Sequence, residues 1–573
     1  MNEQSTTSGH GASPAQTLCE AFQATAARVP DRVALRTPGD QDGLSWGEYA
    51  TAVQRTAGAL AALGVGRGDR VAYLSRNRPE LAIAEVAGLH LGAAGVVLYT
   101  ASPSATIAAV LSDSEPRVLI VESALLGRLS DLEHTVKHVL VLDSDGEREH
   151  VDGVAALPSV EPPSEFDFNA AWQAVSPDDL AAILYTSGTT GTAKGVECTH
   201  RTATAWIYSF DSVWPEADGI HDISYGSFAN VGERGCGHWR ALALGSTRTI
   251  CLEPKQLPAA LLDARPTFLF GPPQVWQALK RALESSLDTD ERAALDAGIQ
   301  RTRTLVQGQP ADALSAEQEA ILAALRRRVG LERVNKSLCA AAPCPPALRE
   351  HYHALGVPFA ENFAMTEIGS ASMQRPGLID YGTLGAASPG YQLRIAEDGE
   401  LLVRGPYTAV KYRNRPQETA ETFDADGWVH TGDLGKLDAE GRLRLTGRKK
   451  EMIVPEHGHN VAPAQLESAL MDRYPLILNA CVIGNGRPHL SVLVAVAPER
   501  EQDDEARSAV SAAITQVNTG LDPREQIQSH AIVAEPWLPG DLLTETLKLR
   551  RRLIAERYAD TIEQMYRVYE PTL

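Results

Sequence analysis

Apolar positions along the first third of the chain follow two alternating periods. Residues 18–27 and 49–63 carry apolar side chains at helical spacing. Val71-Ala72-Tyr73-Leu74 and Val118-Leu119-Ile120-Val121 are short unbroken apolar runs, followed by Val139-Leu140-Val141-Leu142. Helices alternating with buried strands predict an α/β unit with a largely parallel sheet up to about residue 175. Residues 180–185 form another apolar run, after which the pattern breaks into glycines and hydroxyls. Thr199 is placed to cap a helix running through Trp206 to Phe210. Residues 267–276 read as a strand and then a turn at Pro272-Pro273. Residues 280–328, rich in Ala, Leu, Glu and Arg, read as surface helices. A short apolar strand from Phe359 delivers Phe363 and then Thr366-Glu367.

The most apolar long window, residues 81–99, is interrupted by Glu85 and His90 and so does not read as a membrane span. A length of 573 residues exceeds a single core and implies three or more compact units. The net charge of −20 supplies no basic footprint for nucleic acid, although a small anionic substrate needs only a local positive site. Seven scattered cysteines without a C-x-x-C favour reduced thiols over a disulfide or metal framework. Residues 1–14 lack a signal pattern and read as a loose Ser/Thr/Gly-rich tail. The expectation is a cytoplasmic, soluble protein.

Four stretches carry chemistry. Leu184-Tyr185-Thr186-Ser187-Gly188-Thr189-Thr190-Gly191-Thr192-Ala193-Lys194-Gly195 ends a buried strand in glycines, hydroxyls and one lysine. Its backbone N–H groups and hydroxyls suit a polyphosphate, with Lys194 as a mobile charge. Gly195 follows the lysine, so it is not the G-x-x-x-x-G-K-[ST] loop. A solvated connector is the alternative there. At the end of the strand from Phe359, Phe363 could stack on a base and Glu367 could bind Mg²⁺ beside phosphates. Asp433, in a Gly-flanked turn, suits ribose hydroxyls, and Arg448 can reach phosphate or ribose. Taken alone, Asp433 is more often a turn residue and Arg448 a surface cation. Finally, Leu543-Thr544-Glu545-Thr546-Leu547-Lys548-Leu549-Arg550-Arg551-Arg552 is a catalytic-lysine candidate at Lys548, with the arginines read as a basic helix start.

In this order and spacing the stretches resemble the adenylate-forming superfamily (acyl-CoA synthetases, nonribosomal peptide adenylation domains and luciferases), over roughly residues 17–567. The helical stretch near 280–330 and the Thr-x-Thr-Leu-Lys-Leu run bring it nearest to long-chain fatty acyl-CoA synthetases. The resemblance implies an α/β fold: a tail at 1–16, a large multi-subdomain adenylation domain at 17–449 and a small mobile α+β domain at 450–573. It implies that Thr186, Ser187, Gly188, Thr189, Thr190, Gly191 and Lys194 hold the β/γ-phosphates. Ala341 and Phe363 would face adenine, Thr366 a phosphate, Glu367 Mg²⁺, and Asp433 and Arg448 the nucleotide. Lys548 would serve the α-phosphate, Lys450 the hinge, and Gly458 the passage of coenzyme A. Asn230 and Ala364 would wall the carboxylate pocket.

This chain departs from the family at several of these places. Asn230 stands for a histidine, Ala340 and Ala364 stand for glycines, and His457 crowds Gly458. The implied activity is ATP-dependent, AMP-forming ligation of a fatty or related hydrophobic carboxylic acid to coenzyme A. A carrier-protein thiol, an amine or nitrite is the alternative acceptor. A non-catalytic nucleotide-binding relative is a third reading, opposed by the joint presence of Lys194, Glu367, Asp433, Arg448 and Lys548.

Overall fold

The computed structural model describes residues 15–567 except 131, 133, 135, 144–154, 187–192, 216–218, 376–380, 406, 475, 501–502, 534 and 545. Two capping boxes start the first helices. Thr17 accepts from the Glu20 backbone and Ser45 from that of Glu48, and each glutamate reaches back to its cap. The helices Leu18–Arg28 and Trp46–Ala62 follow directly.

The apolar runs become the middle of an eight-stranded sheet. Arg70–Leu74, Ala94–Val97, Val118–Val121, His138–Val141 and Leu180–Thr186 pair in parallel. Helices cover both faces, so Val71 to Leu74 are fully buried and the runs need no polar alternation. Lys194–Thr199 then folds back antiparallel on Leu180–Thr186, and the short strand Lys411–Tyr412 extends that edge. The glycine- and hydroxyl-rich stretch lies between the antiparallel strands Leu180–Thr186 and Lys194–Thr199 in the sequence. Its residues Ser187, Gly188, Thr189, Thr190 and Gly191 lie outside the described residues.

His90 lies in this core, stacked on Phe168 and edge-on to Phe22. Its Nδ1 is 2.8 Å from the Val86 carbonyl oxygen. Burial pushes its pKa down to about 4, and does the same to His200. In acid the unfolded chain takes up protons that these rings refuse. Stability therefore falls as pH drops from about 6.5 towards 4, by at most about 3 kcal/mol per ring. Thermal melts should show that loss, and His90→Gln should make the decline shallower. An unchanged slope would contradict the assignment.

A second sheet pairs Phe268–Gly271, Lys336–Cys339 and Phe359–Met365 in parallel, then turns antiparallel into Gly369–Met373. The helices Pro273–Glu284, Thr289–Val306 and Ala316–Arg328 are less exposed than their composition implies. Leu295, Leu322 and Leu325 pack with Leu283 and Tyr352 in a core of their own. A four-stranded antiparallel meander, ending in Val429–Leu437 and Leu443–Arg448, leads into the turn Lys449–Glu451.

Beyond that turn, Asn479–Ile483, Leu490–Ala495 and Ile527–Val533 form a three-stranded sheet. The helices Pro463–Arg473, Asp504–Asn518, Arg551–Arg557 and Ala559–Arg567 accompany it in an α+β unit with its own core.

Candidate active site

Glu367 lies in the tight connection between Phe359–Met365 and Gly369–Met373, at the carboxyl end of the parallel strands, where α/β sheets bind ligands. Its Oε1 accepts a 2.7 Å hydrogen bond from the Tyr412 hydroxyl, and its backbone carbonyl accepts from the Ala409 N–H. Burial and the neighbouring Glu367 raise the Tyr412 pKa, so the phenol stays a donor. The Lys194 ammonium sits 5.0 Å from the centre of the Tyr412 ring. Tyr412 thus joins the lysine of the eight-stranded sheet to the carboxylate of the second sheet.

Nothing in the sequence spacing points to Tyr412, because only the pairing of Lys411–Tyr412 with Lys194–Thr199 brings it there. Tyr412→Phe leaves Glu367 without its donor. The expected result is about a tenfold rise in the KM for magnesium–ATP with the melting temperature kept within a few degrees. Steady-state kinetics would check this, and an unchanged KM would contradict it.

No group of three or more His, Cys, Asp or Glu side chains among the described residues could hold a metal unaided. One buried carboxylate beside a threonine does fit Mg²⁺, which binds through one or two carboxylates and substrate phosphates. Thr366, half-buried, is that neighbour.

Asp433 and Arg448 are directly opposed across the last two strands of the meander, with Arg448 Nε donating to Asp433 Oδ1 at 3.1 Å. Burial raises the Asp433 pKa, against the lowering effect of Arg448 and Lys548. Lys548 approaches the same groups from the last domain. Surrounding protein and the Arg448 guanidinium lower its pKa, while Asp433, Glu451 and Glu367 oppose that. Lys548 is exposed, so water screens these charges.

A compact loop holds Lys548 in place. Thr544 Oγ1 accepts from the Lys548 N–H at 3.0 Å, and the Thr544 N–H donates to the Lys548 carbonyl. Leu547 has φ +63°, a left-handed conformation that side chains disfavour. Arg551 then makes two 2.6 Å bonds to the Glu467 carboxylate. This arginine of the expected basic helix start anchors the loop.

The other expected residues have ordinary or local surroundings. Phe363 is buried against Ile368, Ala371 and Tyr391. Ala364 follows it across a bulge, half-buried and without positive φ, so the strand does not require glycine there. The left-handed residue of the Ala340-Ala341-Ala342-Pro343 segment is Ala341, at φ +73°, and it is exposed. Asn230 Oδ1 accepts from the Gly232 N–H at 2.7 Å, a local cap. Glu233 and Arg234 turn inward, Glu233 to Arg248 and Ser224, Arg234 to Glu85.

Lys450 is exposed, next to Lys449, which pairs with Asp398 and Glu400. Gly458 is exposed at φ +78°, where an added Cβ would meet nothing. Its positive φ accounts for the glycine without any packing demand.

A large α/β unit followed by a small α+β domain is the class of architecture that this fold defines. The chain belongs to the AMP-binding enzyme family, whose main domain matches residues 22–413 and whose C-terminal domain matches residues 450–570. It is 30% identical over 563 residues to the long-chain-fatty-acid–CoA ligase FadD15 of Mycobacterium bovis, with 91% of each chain covered. It is 25% identical to the long-chain-fatty-acid–CoA ligase ACSBG2 of Gallus gallus, covering 97% of this chain and 82% of that one. The adenylation domain of the carboxylate reductase from Mycobacterium chelonae shares the fold, with a TM-score of 0.76 at 22% identity, covering 97% and 92% of the two chains. No helix among the described residues is long and apolar enough to cross a membrane.

Proposed function

We propose that this protein is an ATP-dependent carboxylic acid:coenzyme A ligase acting on a hydrophobic acid. The observation that carries the reading is that Lys548, in the last domain, lies near enough to Arg448, Asp433 and Glu367 for their charges to act on its ammonium. The two sequence relatives named above are both coenzyme A ligases, which favours that thiol over a carrier protein, an amine or nitrite.

In the first half-reaction a carboxylate oxygen attacks the α-phosphorus of ATP, and pyrophosphate leaves. Negative charge spreads over phosphoryl oxygens, so placed cations matter more than acids or bases. Lys548 meets the α-phosphate and Lys194 the departing phosphates. Thr366 donates its hydroxyl to a phosphate oxygen, and Asp433 and Arg448 hold the ribose end. Ala341 and Phe363 border the adenine, while Asn230 and Ala364 border the acid. Mg²⁺ on Glu367, when bound, neutralises charge on the phosphates.

In the second half-reaction a thiol sulfur attacks the acyl carbon, and AMP leaves. For this, rotation at Lys450 withdraws Lys548 and presents the turn bearing Gly458. The supporting experiment is acid-dependent exchange of labelled pyrophosphate into ATP across a carboxylic acid panel. Exchange with hydrophobic acids is expected, and none with any acid would overturn the reading.

A further inference from the structure

Trp206 packs between two segments that adjoin the residues proposed above to border the acid, Asn230 and Ala364. One is the helical turn Glu233–Trp239, which follows Asn230. The other is the strand Gly369–Met373, which leaves the Thr366-Glu367 connection and pairs Ser370 with Ala364. A Cβ built on Gly235 would lie 1.8 Å from indole Cη2 and Cζ3, and one on Gly369 would lie 2.9 Å from indole Cγ. Neither position can carry a side chain while the ring is there. Gly369 has φ +63°, which explains its glycine independently. Gly235 has no positive φ, so only the ring accounts for it.

Gly235 also lies in a stretch wound as a π-helix, a form rare in proteins and frequent at functional sites. The indole is 4% exposed, and its Nε1–H has no acceptor among the described residues. Trp276, fully buried, gives its Nε1–H to the Gly271 and Leu338 carbonyls, whereas Trp46 shares the lack of an acceptor among the described residues. A buried tryptophan normally finds such a partner. Ring position and free donor together describe a wall with one polar atom available.

We propose that Trp206 ends the acyl site and donates its N–H to an oxygen of the acyl group. The favoured substrates are compact acids, short or medium aliphatic or aryl, with a hydroxyl, oxo or ether oxygen on the acyl body. Long saturated acids are excluded by the ring. This inference rests on the ligase reading and names the substrate class for the same site.

The test is acid-dependent pyrophosphate release by wild type, Trp206→Phe and Trp206→Ala. The panel holds saturated acids from C4 to C18 and their 3-hydroxy, 3-oxo and aryloxy counterparts. Wild type is expected to lose about 100-fold in kcat/KM between medium and C16 acids, and Trp206→Ala to shift the optimum to longer chains. Trp206→Phe, which keeps most of the volume, should retain the length limit and lose about tenfold of the preference for oxygenated acids.

Equal use of C16 by wild type, with the same profile in Trp206→Ala, would overturn the wall. An unchanged preference in Trp206→Phe would overturn the donor and assign the N–H to a buried water. The wild-type and Trp206→Phe profiles decide the matter even where Trp206→Ala does not fold. Absence of acid-dependent pyrophosphate release with every acid of the panel would remove the ligase reading itself, whereas release indifferent to position 206 would remove only this inference.

Discussion

Lys548→Ala is expected to slow acid-dependent pyrophosphate release by about 10²–10³-fold, the scale on which one preorganised charge-stabilising donor contributes. The loss should fall on kcat, because in the proposed mechanism Lys548 meets charge that develops at the α-phosphorus, while Asp433, Arg448 and Lys194 would still hold ATP. Thioester formation from a supplied acyl-adenylate should stay within a few-fold of wild type, since the proposed second half-reaction has Lys548 withdrawn. Rapid-quench measurement of the two half-reactions checks both expectations. Equal losses in both would mean that Lys548 holds the domain together and does not act on the phosphate. The side chain keeps solvent contact and its loop is fixed by Thr544 and Arg551, so alanine there should leave the fold intact.

Glu367→Gln should have the next largest effect. Glutamine keeps the volume and an acceptor for the Tyr412 hydroxyl, but removes the charge that fits Mg²⁺. We expect about a 10²-fold fall in kcat/KM for ATP and a higher Mg²⁺ concentration for half-maximal rate. Titration of Mg²⁺ at fixed ATP measures this. An unchanged Mg²⁺ requirement would place the cation elsewhere.

The comparison of sequence with structure divides along physical lines. The runs at 71–74 and 118–121 are legible because strands buried on both faces cannot alternate, so an unbroken apolar run has few other uses. Thr199 is legible as a cap because its hydroxyl has a local duty: it accepts from the Thr202 N–H and starts His200–Val213. The Thr366-Glu367 connection is legible because an apolar strand ends in polar groups.

What the sequence hides is set by contacts between distant segments. Tyr412 reaches Glu367 only through a two-residue strand added to another sheet. Trp206 reads as an ordinary core aromatic until Gly235 and Gly369 are seen against its ring. Glu233 and Arg234, just after Asn230, are paired inside the core with Arg248 and Glu85. A buried ion must be paired, and the identity of its partner is a tertiary fact. The strain at Ala341 and Leu547 is equally silent in the sequence, since neither residue type announces a left-handed backbone.

The most direct measurement is mass-spectrometric identification of products from wild-type protein with ATP, Mg²⁺ and the acid panel, with coenzyme A, with nitrite, and with neither. An acyl-CoA thioester together with AMP, formed only when coenzyme A is present, is the expected result. AMP and an acyl-adenylate without thioester for every acid would contradict coenzyme A as the acceptor.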